Sequence, residues 1–192
     1  VRGVSLHLDE GESIGIVGES GSGKSVSMLS VMGLTPKNCE VQADQILFDG
    51  KDLTHADRRE MRKILGKDIA MVFQDPMTCL NPLYTIGNQL MEPIRLHLGM
   101  NKKQAYAHAV NMLKLVDIPD PESRMRQYPH EFSGGMRQRA LIAMALSCSP
   151  KLIICDEPTT ALDVTIQAQI LDLLKSLREK MGISIIMITH DL

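Results

Sequence analysis

Hydrophobic positions along the chain follow two rhythms. Apolar runs occupy residues 14–17, 69–73, 152–155 and, with Ser184 as its one polar member, 183–188. A run without polar alternation marks a strand buried on both faces of a parallel sheet. These four are therefore expected as the central strands of a parallel α/β core. Residues 4–8 read as a further strand, and 46–48 as a short one closed by the Asp49-Gly50 turn. The second rhythm is helical. Residues 101–116 place Ala105, Ala109, Met112, Leu113 and Val116 on one face. Residues 86–98 predict another helix, kinked or broken at Pro93. A charged helix is expected over 56–65 and an apolar-led one over 26–33. Ile166, Ile170, Leu173, Leu174, Leu177 and Met181 form the face of a last helix, stopped by Gly182.

No strand-like run occurs between residues 74 and 133. A helical subdomain, residues 79–147, is therefore expected as an insertion in a core made of residues 1–78 and 148–192. At 192 residues the chain is long enough for one domain with such an insert. It begins within an expected strand and stops at Leu192 just after another, so the fold is expected to be truncated at both ends.

Composition narrows the partners. The net charge is −2 and no Lys/Arg run forms an electrostatic footprint, which argues against nucleic acid. The cysteines Cys39, Cys79, Cys148 and Cys155 are widely spaced, without a C-x-x-C pair. The two in strongly apolar surroundings are expected as buried thiols, which favours a reducing, cytoplasmic setting. The 13 methionines are scattered and suit core filling. No apolar stretch approaches the ~20 residues of a membrane span, so a membrane role is expected to be peripheral.

The chemistry starts at Gly18-Glu19-Ser20-Gly21-Ser22-Gly23-Lys24-Ser25, which fits the phosphate-loop pattern G-x-x-x-x-G-K-[ST]. It follows a predicted strand and opens a helix at Val26, the context in which backbone N–H groups and a helix N-terminus cradle an anion. Lys24 would place its charge on the β- and γ-phosphates, and the Ser25 hydroxyl would hold magnesium. Farther on, the run 152–155 ends in Asp156 and Glu157. Carboxylates at the C-terminal end of a parallel strand lie where open α/β sheets bind ligands. Asp156 can therefore reach the magnesium held by Ser25, and Glu157 could polarise the attacking water. A phosphate loop alone would leave kinases and other nucleotide hydrolases open.

Further motifs resemble one family. Gln74 after the strand ending at Phe73 resembles a Q-loop glutamine, and Ser133-Gly134-Gly135 followed by Met136-Arg137-Gln138-Arg139 a signature motif. Ala161-Leu162-Asp163 resembles a D-loop, and His190 a switch histidine. In this order, along essentially the whole chain, they resemble the ATP-binding subunit of an ABC transporter. The resemblance implies an ABC-type nucleotide-binding domain on a P-loop NTPase fold, with a mainly parallel sheet, an inserted helical subdomain and a small N-terminal β part. It implies ATP and Mg2+ as ligands, and catalysis by Glu157, His190, Lys24 and Gln74, with Ser25, Gln74 and Asp156 around the metal. Ser133, Gly134 and Gly135 would hold the γ-phosphate of a nucleotide bound by a second ATPase subunit, and Asp163 would bridge the dimer.

The signature reads FSGGM where the family pattern is usually LSGGQ, and Met136 cannot hydrogen-bond as glutamine would. The variant resembles one of the paired ATPases of dipeptide and oligopeptide importers, as does the Leu80-Asn81-Pro82 stretch. A related but different second ATPase chain, integral membrane permease subunits and an extracytoplasmic solute-binding protein are the partners this implies. The place it implies is the cytoplasmic face of the cell membrane. Nickel or glutathione-like cargo, or a soluble ATPase outside transport, are the alternatives.

Overall fold

The structure, a computed structural model, describes residues 1, 3–36, 38–160 and 162–190. Its first part runs β1 (Ser13–Val17), α1 (Lys24–Val31), β2 (Leu47–Phe48), β3 (Lys51–Asp52), α2 (Arg58–Ile64) and β4 (Ile69–Val72). Helices follow: α3 (Pro76–Cys79), α4 (Ile86–Leu98), α5 (Lys102–Leu115), α6 (Pro121–Arg124), a 3₁₀ turn (Pro129–Glu131) and α7 (Gly134–Leu146). The chain then returns to β5 (Leu152–Asp156), α8 (Val164–Met181) and β6 (Ser184–Thr189).

The sheet has the order β1-β6-β5-β4, with every pairing parallel. β5 lies inside it, and Ile153, Ile154 and Cys155 are buried. Successive side chains point to opposite faces. Ile153, Cys155 and Ile185 join a cluster with α4, α5, α7 and α8, while Ile154, Ile186 and Ile188 pack with Met28 of α1, Met32 at its C-terminal end, and Met61 and Ile64 of α2. Both faces are thus covered, the condition under which parallel strands read as unbroken apolar runs. The expected turn at Asp49-Gly50 joins β2 to β3. Both residues have positive φ, 50° and 73°, as a two-residue hairpin turn requires.

Three expectations are corrected. Among the described residues β1 and β4 are edge strands, not central ones; β1 alternates between exposed and half-buried because only its Ile14 and Ile16 face packs on a core cluster, whereas β4 is covered on both faces. Residues 4–8 form no strand. They pair with no described strand, Val4 and Leu6 are exposed, and an extended segment without a ladder partner leaves its backbone groups to water. Of the kink or break expected at Pro93, the break does not occur: α4 runs continuously from Ile86 to Leu98. Proline inside a helix costs about 3 kcal/mol. Burial of Ile86, Leu90, Met91 and Ile94 along one face offsets that, at roughly 1.5–3 kcal/mol for each large apolar side chain.

Local signals place the helix ends. Asn101 and Gln104 form a capping box at α5, and Asp57 and Glu60 another at α2. Gly182 closes α8 in the left-handed conformation at φ 65°. All four cysteines are free thiols. Cys148 and Cys155 are buried, and burial pushes the Cys155 thiol up to about 12.

Candidate functional site

Because β1, β4, β5 and β6 are parallel, their C-terminal ends share one edge of the sheet. The loop 18–23 leaves β1 there, Gln74 lies two residues beyond β4, Asp156 ends β5, and His190 follows β6. Residues far apart in the chain meet at that edge for this reason alone.

The loop between β1 and α1 curls through Gly21 and Gly23, at φ 80° and 96°. Side chains with a Cβ rarely adopt such angles. Gly23 precedes α1 with no side-chain cap, so the first-turn N–H groups of the helix point into the loop. The Lys24 ammonium folds back over the loop and donates to the carbonyl oxygens of Gly18 and Glu19, at 2.5 and 3.0 Å. Glu19 and Ser20 are exposed on the outer arc, as are Ser22 and Val26.

One residue into α1, the Ser25 hydroxyl donates to Asp156 Oδ1 at 2.7 Å, joining the loop to the end of β5. Asp156 is 7% exposed. Burial raises its carboxyl above the usual range, the Ser25 hydrogen bond and Lys24 oppose this, and Glu157 reinforces it. A carboxyl raised by folding contributes full stability below its ordinary value of 3.8 and loses it as pH rises through the folded value. Asp156→Asn keeps an acceptor for Ser25 without the buried charge. Near pH 7 it is expected to raise the ligand-free melting temperature, with the gain vanishing toward pH 3 in a pH series of thermal scans.

Glu157 bends away from β5. Its φ is 45°, unusual for a side chain of its size, and its N–H donates to Ile188 O at 2.9 Å, which holds the bend against β6. Glu157 Oε2 accepts from Gln74 Nε2 at 2.9 Å and from Thr160 Oγ1 at 3.0 Å, and meets His190 Nδ1 at 3.1 Å. The Glu157 side chain is 13% exposed and that of His190 41%. Gln74 is thus placed beside Glu157, and the three side chains converge on one carboxylate oxygen. Thr160 is the member that motif reading passes over. A hydroxyl three residues after Glu157, across a turn led by Pro158, is the signal that could have found it.

The residues Ser133, Gly134 and Gly135 stand apart from this cluster, with no hydrogen bond to it among the described residues. Ser133 Oγ caps α7 by accepting from the Met136 N–H at 3.3 Å. Asp163 does the same for α8, accepting from Ile166 N at 3.0 Å. Ala161 lies outside the described residues. A Cβ at Gly135 would sit 2.8 Å from Ile166 Cγ2, so glycine here lets α7 and α8 approach. Gly135→Ala is expected to destabilise the fold by about 1–3 kcal/mol. Adding Ile166→Ala should recover part of that loss in urea denaturation.

Known proteins resemble this chain along its length. The ABC transporter family model matches residues 1–160. The dipeptide transport ATP-binding protein DppD of Bacillus subtilis strain 168 is 58% identical over 193 residues, covering 100% of this chain and 58% of its own length. The oligopeptide transport ATP-binding protein OppD of the same organism is 56% identical over 193 residues, covering 100% of this chain and 54% of its own. This chain therefore spans little more than half of these relatives. Among solved structures, the ATP-binding cassette MJ0796, a dimeric post-hydrolysis state bound to ADP and Pi, superimposes with TM-score 0.83 at 31% identity. That match covers 97% of this chain and 78% of the other. A phosphate loop facing an acidic strand end, on a sheet of this order and with a family match over most of its length, makes this chain a member of the ABC transporter family.

Proposed function

We propose that this chain is the ATP-hydrolysing motor of an ABC importer for dipeptides or oligopeptides. The observation that carries the reading is the convergence of Lys24, Ser25, Gln74, Asp156, Glu157 and His190 on one sheet edge, with Ser25 bonded to Asp156 across 131 residues of chain. Residues 1–78 and 148–192 serve as the nucleotide-binding core, and 79–147 as the helical subdomain that carries the signature motif. The names of DppD and OppD supply the cargo class.

The loop N–H groups and Lys24 bind the phosphates, Lys24 exchanging its carbonyl partners for phosphate oxygens. The Ser25 hydroxyl and the Asp156 carboxylate are hard oxygen donors side by side. With the Gln74 amide oxygen they suit magnesium, which takes few protein ligands and completes its shell with phosphate and water. Among the described residues no group of three or more His, Cys, Asp or Glu is placed to hold a metal by itself, in keeping with such a shared site. Bound magnesium would offset the negative charge on the β- and γ-phosphates.

Hydrolysis then needs a positioned water. Its oxygen bonds to the γ-phosphorus, the bond to the β,γ-bridging oxygen breaks, and that electron pair stays on ADP. Glu157 takes the water proton, and His190 steadies the γ-phosphate. Ser133, Gly134 and Gly135, at the N-terminus of α7, complete the enclosure around the nucleotide of a second, related ATPase subunit. Met136 removes one polar contact from that face and favours an unlike partner chain.

Among the described residues no helix is long and apolar enough to cross a membrane. Phe73 just before Gln74, and Met77, Leu83 and Tyr84 beyond it, are exposed, with Leu83 81% exposed. This apolar strip receives a helix of the permease at the cytoplasmic face of the membrane. Reconstitution of the full-length protein with its companion ATPase and permease in vesicles tests the reading. ATP-driven peptide uptake is expected, and its loss in Leu83→Glu with hydrolysis retained. Hydrolysis without any peptide dependence or uptake would refute peptide import.

A further inference from the structure

Glu157 has two carboxylate oxygens, and the structure treats them differently. Oε2 gathers Gln74 Nε2, Thr160 Oγ1 and His190 Nδ1 within 2.9–3.1 Å, while Oε1 takes no hydrogen bond from a described residue. One oxygen is anchored and the other is uncommitted among the described residues, the division a proton acceptor needs.

The partners differ in kind. Gln74 and His190 come from the ends of β4 and β6, 83 and 33 residues away. On the proposed function, which this inference rests on, both acquire new partners when nucleotide arrives: Gln74 the metal shell and His190 the γ-phosphate. Thr160 has no such second task. It lies in the turn that Glu157 itself opens, where Thr160 N–H donates to Glu157 O at 3.3 Å and Pro158 is buried. Its hydroxyl stays within reach of the carboxylate whatever β4 and β6 do. Thr160 is exposed, so its hydroxyl could be satisfied by water and the fold does not need this bond.

We infer that Thr160 is a positioning residue: its hydroxyl holds Glu157 Oε2 once Gln74 and His190 have turned to the nucleotide, leaving Oε1 aimed at the attacking water. The covalent step is unchanged, and Thr160 neither gains nor loses a proton in it.

The test is steady-state ATP hydrolysis by the full-length protein with its companion subunits. Thr160→Val keeps the β-branched shape and removes the donor. It is expected to lower kcat about 10- to 100-fold, the effect of one lost hydrogen bond to a charged group, with KM for ATP unchanged. Thr160→Ser should restore most of the rate. In a Glu157→Gln background Thr160→Val should change nothing further, because the group it orients has gone. A kcat within about twofold of the parent would overturn the inference, as would an equal proportional loss in both backgrounds, the mark of a structural effect. A raised KM with kcat intact would overturn it too. Parental turnover in Glu157→Gln itself would instead sink the proton-acceptor reading beneath it.

Discussion

Glu157→Gln is expected to lower ATP turnover by about 10²–10⁴-fold while nucleotide binding survives. The substitution keeps the length and the planar end of the side chain, so the bend at φ 45° and the Glu157 N–H bond to Ile188 O need not change. Thr160 can still donate to the amide oxygen. What disappears is a group able to accept a proton from water. Binding rests elsewhere, on the loop amides, Lys24 and Ser25, none of which contacts Glu157. Single-turnover hydrolysis beside equilibrium nucleotide binding separates the two effects. Loss of binding along with turnover would mean that Glu157 supports the loop and not the water.

The sequence announces these residues more clearly than it announces their contacts. Lys24, Ser25, Asp156 and Glu157 are legible because phosphate binding and metal binding each demand residue types at set spacings. The buried strands are legible because a parallel sheet covered on both faces tolerates few polar side chains, as at Ile153 to Cys155. Residues 14–17 and 69–73 carry the same apolar signal, yet β1 and β4 are edge strands. Hydropathy reports how much a strand is covered only when its neighbours are known, and pairing is a long-range property. Pro93 misleads for the opposite reason: a local rule predicts a break, and the tertiary packing of Leu90, Met91 and Ile94 outweighs it. Gly135 carries a meaning the motif does not reveal, since the nearness of Ile166 emerges only when α7 meets α8. Asp163 and Ser133 are likewise helix caps in the folded chain, a duty that coexists with any role toward a second subunit.

Lys24→Ala should weaken ATP binding by at least about 10²-fold, since charge-assisted hydrogen bonds are worth about 1.5–3 kcal/mol each and this ammonium makes more than one. The same ammonium bridges Gly18 O and Glu19 O and so braces the curl of the loop. Removing Lys24 therefore acts twice, deleting a cation and loosening the cradle it braces. The two contributions can be separated. Lys24→Arg keeps the charge but presents a planar fork too broad for two neighbouring carbonyls, and should recover only part of the affinity. Raising salt should weaken the parent and Lys24→Arg far more than Lys24→Ala, because screening acts on the charge and not on the backbone amides. A titration with a fluorescent ATP analogue at two ionic strengths measures both effects. Equal affinity for the parent and Lys24→Ala would show that triphosphate is not held in this loop, and the assignment of the sheet edge as a nucleotide site would fall with it.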